Sequence, residues 1–199
     1  MIRGPTTYFC SMDFIVKTER LVLFEWNESH AEVLFDLNSD PDVIRYTGDP
    51  PFESIEDARQ LILNYDQYKS NGYGRWLCAL RETGEIVGWC GLKLNNENDD
   101  QFIDLGYRFF KKHWGKGFAT ESAYASLKVG FEKLGMNFII ARAVQENEAS
   151  ISVMKKLGMT RFKEAQCHGL PAEYYSLGRE EFEAFFAKNP PITALQFPE

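Results

Sequence analysis

The residues best suited to chemistry fall in one short stretch, Trp114-Gly115-Lys116-Gly117-Phe118-Ala119-Thr120. A β-rich run ends just before it, at Phe110. After it, small or apolar residues recur at Ala119, Ala123, Leu127, Gly130, Phe131 and Leu134, the steps of three and four that mark one helix face. A strand, a glycine-bearing turn and a helix in that order can hold an anion. First-turn N–H groups lack partners, the helix dipole favours negative charge, and glycine lets the backbone come close. Lys116 adds a cation. A plain strand-to-helix connection with glycines for geometry stays open at this point. Two nucleotide loops fail on spacing. A Walker loop needs G-x-x-x-x-G-K-[ST], but position 110 is Phe and position 117 is Gly. A dinucleotide fingerprint needs G-x-G-x-x-G, but Thr120 stands at the end.

The surrounding elements must position that turn. Residues 15–25 read as a strand. Ser29 is placed to cap a helix through Leu37, and Asp40-Pro41-Asp42 breaks it. Gly48-Asp49-Pro50-Pro51 is a stiff loop. Ser54 with Asp57 resembles a capping box, followed by an amphipathic helix through Ala58, Leu61, Ile62 and Tyr65. Strands are predicted over 75–81, 86–94 and 101–110, joined by turns at 82–85 and 95–100. The helix after Gly117 ends at Gly135. A buried strand at 137–143, a helix at 148–157 and strands near 159–165 and 172–177 follow. Residues 179–187 form a last helical turn or two before an irregular tail at 188–199. This mixture is an α+β (mixed α/β) domain over 15–187 around one sheet, with residues 1–14 as a loose extension.

Composition narrows the partners. The chain has 199 residues, enough for one domain with a sizeable core, and its net charge is −7. No Lys/Arg cluster is present, so nucleic acid is not expected. No apolar run approaches the ~20 residues that span a membrane, and residues 1–12 lack the basic start and apolar run of a signal peptide, so a cytoplasmic protein is expected. Cys10, Cys78, Cys90 and Cys167 form no CxxC pair and no zinc spacing, so no metal is expected.

Residues 114–119 resemble the CoA motif of the GNAT N-acetyltransferases, Q/R-x-x-G-x-G/A, with Trp114 in place of Gln or Arg. The form W-G-K-G-[FY]-A-T-E is similar to the ribosomal-protein alanine N-acetyltransferase branch. So is the block from Asn147 through Ser150 and Lys156-Leu157-Gly158-Met159. Thr18-Glu19-Arg20-Leu21-Val22-Leu23, Gly84-Glu85-Ile86-Val87-Gly88 and Leu105-Gly106-Tyr107 support it in order and spacing. The resemblance spans residues 18–186.

The resemblance implies a mixed, mostly antiparallel sheet splayed in a V and flanked by helices. Acetyl-CoA would lie in the V as cosubstrate. Its pantetheine would pair with backbone near Phe109 and Phe110, its pyrophosphate would sit on amides of Gly115, Lys116, Gly117, Phe118, Ala119 and Thr120 beside Trp114, and Asn147 would hold the pantetheine arm. The other partner would be a primary amine, a protein N-terminus or a small molecule, and the protein a monomer or homodimer. Many relatives carry a proton-donating Tyr where Met154 stands here. Ser150, one turn earlier, is the expected substitute, with cap or cofactor hydrogen bond as its other reading. Asp104, a lone carboxylate in an apolar strand, is the expected base, with a salt bridge as its other reading. Glu121 is expected to complement the helix dipole. His113 is expected at the surface or on CoA, and His168 beside the acceptor pocket. Trp76, Trp89 and Tyr107 are expected as core or pocket wall. Asp36, Asp40, Asp42 and Asp49 form a group able to attract a cation. A non-catalytic CoA-binding or sensing module is the alternative to an active transferase.

Overall fold

The computed structural model describes residues 13–97 and 100–198; of the extension expected at 1–14, residues 1–12, with Cys10, lie outside the described residues. Eight strands form one sheet: β1 (Val16–Lys17), β2 (Leu21–Phe24), β3 (Arg75–Leu80), β4 (Ile86–Glu97), β5 (Asp100–Phe109), β6 (Phe138–Val144), β7 (Thr160–Cys167) and β8 (Leu170–Gly178). Their order across the sheet is β1-β2-β3-β4-β5-β6-β8-β7. Every neighbouring pair is antiparallel except β5 and β6.

The helices are α1 (Ala31–Ser39), α2 (Pro41–Ile44), α3 (Ile55–Leu63), α4 (Gln67–Asn71), α5 (Phe118–Lys128), α6 (Glu148–Lys156) and α7 (Arg179–Lys188). Between the sheet and helices α5 and α6, Leu92, Leu105, Leu127, Ile139, Met154 and Leu157 form the main core. Each is at most 2% exposed, and burial of such side chains contributes about 1.5–3 kcal/mol apiece. Under α1 and α3, Phe24, Trp26, Leu34, Ala58, Ile62 and Leu77 form a second cluster. No helix among the described residues is long and apolar enough to cross a membrane.

Several local expectations are corrected. The strand expected over 15–25 is a hairpin, with Val16 paired to Leu23 and Lys17 to Val22. Thr18 turns it: its backbone N–H donates to Leu21 O at 2.9 Å, and its Oγ1 accepts from Leu21 N–H at 2.8 Å. Ser29 does not cap the first helix. Asn27 Oδ1 accepts from Ser29 N–H at 3.0 Å and starts a 3-10 turn that runs into α1. Pro41 ends one helix and begins the next, because a residue without N–H fits the first helical position. The long helix after Gly117 leaves α geometry at Val129–Lys133, which form a π turn. There a Cβ on Gly130 would lie 2.8 Å from Leu92 Cδ1 and 2.9 Å from Ile139 Cδ1, so a larger residue would push those methyl groups aside. The tail returns to the sheet: Lys17 and Gln196 exchange backbone hydrogen bonds at 2.8 Å.

Candidate functional site

The sheet opens where its one parallel pair fails. β5 and β6 meet only at Asp104 and Ile140, and beyond that point Leu105–Phe109 and residues 141–144 part. Phe110 N–H donates to Val87 O at 3.1 Å and so faces β4. Amides alternate along an antiparallel strand, which turns those of Tyr107 and Phe109 to the open side. Phe109 O is already taken by Trp114 Nε1 at 2.8 Å. Of the two backbone positions expected to meet pantetheine, Phe109 presents its N–H to the gap and Phe110 does not.

The glycine turn follows directly. Gly115 and Gly117 have φ of 73° and 81°, a region that suits glycine. A Cβ on Gly115 would meet nothing within 4 Å, so bare backbone faces outward at the head of α5. The expected residues Lys116, Phe118, Ala119 and Thr120 continue this turn into the helix. The free first-turn amides suit an anion of pyrophosphate type.

A buried carboxylate braces the turn from behind. Glu121, on the first turn of α5, has a side chain 4% exposed. Its Oε1 accepts from Thr18 Oγ1 at 2.6 Å and from Arg20 N–H at 3.0 Å. Its Oε2 accepts from Arg20 Nε at 2.6 Å. Arg20 then donates through Nη1 to Lys116 O at 2.8 Å and lies 4.7 Å over the Phe118 ring. Glu121 therefore does more than complement a dipole: it ties the N-terminal hairpin to the turn. Thr18 and Arg20 lie in the same sequence block as the hairpin, but nothing local to them points to residue 121.

At the inner end of α6, Asn147 Oδ1 accepts from Ser150 N–H at 3.1 Å. Ser150 Oγ lies 2.8 Å from Tyr107 Oη, and Tyr107 Oη also donates to Ser150 O at 3.0 Å. Burial pushes the Tyr107 phenol well above its usual range, against the opposing pull of the Ser150 hydrogen bond, so it stays protonated. Tyr107 is thus not merely pocket wall. Its adjacency to Ser150 rests on contact between β5 and α6, which spacing along the chain does not reveal. Met154 is fully buried in the core and takes no part.

The other face of the sheet carries a row of charge. Asp104 is 6% exposed, and its Oδ2 is ion-paired with Arg75 Nη2. Arg142 Nε lies 3.9 Å from Oδ1, which has no hydrogen-bond partner among the described residues. The Arg75 guanidinium lies over Gly106, where a Cβ would come within 2.7 Å of it. The Trp89 ring faces Arg75 at 5.5 Å and Arg108 at 5.3 Å. Arg108 reaches Asn38, and Asp49 at 2.6 Å. Two lone charges of opposite sign in apolar strands, Arg75 and Asp104, were the available signal for this pair.

These walls border an open cleft of about 1130 Å³ lined by Asp104, Tyr107, Asn147 and Ser150 together with Trp26 and Tyr65. His168 lines it too; a Cβ on Gly48 would lie 2.2 Å from His168 Cβ, so the two loops touch across its mouth. Cys167 also lines it, and burial pushes its thiol up, which keeps it protonated and a poor nucleophile. Of the acidic group expected to attract a cation, Asp49 pairs with Arg108, Asp42 pairs with Lys111 at 2.5 Å, and Asp40 caps α2. His113 is 6% exposed and sits 3.2 Å from Glu85 Oε1, so it is not a surface residue.

The Acetyltransferase (GNAT) domain family matches residues 20–160. The N-acetyltransferase p20 of Bacillus licheniformis is 32% identical over 145 residues, covering 72% of this chain and 81% of its own. A GNAT-family acetyltransferase structure from Bacillus anthracis shares 29% identity with a TM-score of 0.70, over 84% of this chain and 99% of that one. The spermidine N-acetyltransferase of Vibrio cholerae, solved with CoA and spermine, has a TM-score of 0.67 over 82% of this chain and 98% of that one; at 16% identity it shares the fold alone. The chain belongs to the GNAT family of acetyltransferases and is an acetyl-CoA-dependent acyltransferase.

Proposed function

We propose that the protein moves an acetyl group from acetyl-CoA to a primary amine by direct attack in a ternary complex. The observation that carries this reading is the Ser150–Tyr107 hydroxyl pair, 2.8 Å apart, lining the same cleft as Asp104, whose Oδ1 accepts no hydrogen bond among the described residues. The outward amides of residues 115–120 fit the pyrophosphate, and the gap between β5 and β6 fits the extended pantetheine as an added strand. Asn147 borders that arm.

The attacking nitrogen must be unprotonated, and a free alkylamine is mostly ammonium at neutral pH. Asp104 sits between two guanidiniums, those of Arg75 and Arg142. It serves by accepting an amine N–H at Oδ1, so that the lone pair faces the thioester. It then receives the proton that the nitrogen sheds once bonded to carbon, when that nitrogen is strongly acidic. The N–H of Phe109, on the open side of β5, meets the oxyanion that forms on the acetyl oxygen. The carbon–sulfur bond breaks as the carbonyl reforms. Ser150 Oγ gives its proton to the departing sulfur and is reprotonated from the proton released by the amine. Tyr107 holds that hydroxyl in place and keeps its own proton. In balance, amine and thioester become amide and thiol, and the proton lost from nitrogen ends on sulfur.

The test is thiol release from acetyl-CoA over a panel of amines. We expect Ser150→Ala to lower kcat about 10- to 100-fold while acetyl-CoA still raises Tm. Full kcat in that variant would remove Ser150 from proton transfer. Tyr107→Phe is expected to lower kcat less than Ser150→Ala.

A further inference from the structure

We infer that His113 is a positioning residue of the glycine turn, tying the Lys116 ammonium to the Glu85 carboxylate so that the cation stands ready for a phosphate, an inference that rests on the reading above in which the turn receives the pyrophosphate of acetyl-CoA. Lys116 lies between the two glycines and is exposed. A long side chain in that position samples many rotamers, and fixing one of them on an anion costs entropy. Here both ends of the residue are already held. Its carbonyl accepts from Arg20 Nη1 at 2.8 Å, and its Nζ lies 3.5 Å from His113 Nδ1, at the long limit of a hydrogen bond. Trp114, just before the turn's first glycine, brings no charge, and its indole N–H is committed to Phe109 O.

One arrangement of the ring satisfies both of its neighbours. An ammonium only donates and an ionised carboxylate only accepts. His113 Nε2 lies 3.2 Å from Glu85 Oε1, so the proton belongs on Nε2, and the lone pair of Nδ1 faces Lys116. Lys112 Nζ donates to the same Oε1 at 2.6 Å. The hydrogen bond from Lys112, and then that from His113, holds the Glu85 carboxyl below its usual range, so it stays ionised. The ring itself is fixed: it is 6% exposed, it packs 6.1 Å from the Phe118 ring, and the His113 backbone N–H donates to Phe110 O at 2.8 Å. His113 takes one of the three ammonium protons of Lys116, which leaves two for phosphate oxygens. A neutral ring cancels none of the charge, so the cation reaches the anion whole.

The test compares the affinity for acetyl-CoA with that for S-acetylpantetheine, which carries the thioester arm without the pyrophosphate. Binding titrations are made on wild-type protein, His113→Phe, His113→Asn, Lys116→Met and the His113→Phe, Lys116→Met double variant. We expect His113→Phe to weaken acetyl-CoA about 3- to 10-fold and to leave S-acetylpantetheine unmoved. His113→Asn, whose side-chain oxygen can still accept from Lys116, keeps part of the affinity. In the Lys116→Met background, His113→Phe adds no further loss, because both variants remove the same interaction. The ratio of the two affinities is taken within one preparation, so a partly folded variant does not blur it. An equal loss with and without Lys116 would make His113 a packing residue, overturning this inference and leaving acetyl transfer standing. Equal wild-type affinity for the two donors would mean that the turn holds no pyrophosphate, and would overturn the inference together with the reading it rests on. The expected titrations with no thiol release from any amine would overturn acetyl transfer and leave this inference standing.

Discussion

The glycine turn and the opposite wall of the cleft reach their form by different routes. The turn is made of consecutive residues 114–120, and Glu121 ties it to Thr18 and Arg20 of the N-terminal hairpin. The wall gathers Arg75 from β3, Trp89 from β4 and Asp104, Gly106 and Arg108 from β5. Removing one member of the wall leaves a buried charge behind. Removing one glycine of the turn strains a few bonds in a solvated loop. The wall is therefore the costlier part to disturb, and the turn, on the reading proposed above, is the part that tunes cofactor affinity.

The largest test of that contrast is Arg75→Met, which leaves the Asp104 carboxylate buried without its main partner. We expect a loss of about 3–5 kcal/mol in urea unfolding, and recovery of most of it in the Arg75→Met, Asp104→Leu double variant. Wild-type stability in the single variant would mean the wall is not held by charge. Next is alkaline pH, which attacks the same wall. The Tyr65 hydroxyl accepts from Arg75 N–H at 2.7 Å, and burial raises its ionisation to about 12. The folded value exceeds the unfolded one, near 10. The stability is therefore complete below pH 10 and is lost as pH climbs from 10 to 12, by about 2–3 kcal/mol from this group alone. A melting curve series from pH 7 to 11 checks it; a decline starting below pH 9 would point elsewhere.

On the turn side, Glu121→Ala is expected to cost about 2 kcal/mol, because it strips acceptors from Thr18 and from the Arg20 backbone. The KM for acetyl-CoA should rise while kcat at saturation changes little. Gly117→Ala is smaller, about 1–2 kcal/mol of backbone strain at φ 81°, again with weaker acetyl-CoA binding measured by titration. Smallest is Lys111→Ala. Its partner Asp42 is solvated at the surface, where ion pairs add little, so no measurable change in Tm is expected.

The same contrast explains what could be read from sequence. The helix face from Ala119 to Phe131 and the strands around Cys78, Val87 and Leu105 follow from periodicity, which depends only on near neighbours. The glycine turn is legible for the same reason. The hairpin at Thr18 was missed because a side chain closed it where the apolar pattern ran on. The π turn at Val129–Lys133 was missed because it answers to Leu92 and Ile139, distant in sequence. Ser150 and Asp104 could be named as candidates, since each is a polar residue among blocks of known spacing. Their partners could not: Tyr107 meets Ser150 across 43 residues, and Arg75 meets Asp104 across 29.

Glu121 also sets a schedule. Its bonds to Thr18 and Arg20 join residues 103 and 101 positions apart. During synthesis the N-terminal hairpin emerges long before α5 exists to receive it, and closing so long a loop is a slow, late step. Until it closes, Arg20 cannot hold Lys116 O, and the turn lacks its brace. Acetyl-CoA binding therefore serves as a readout of chain closure: in refolding from denaturant, cofactor affinity should return with the last phase of recovery rather than with the helices.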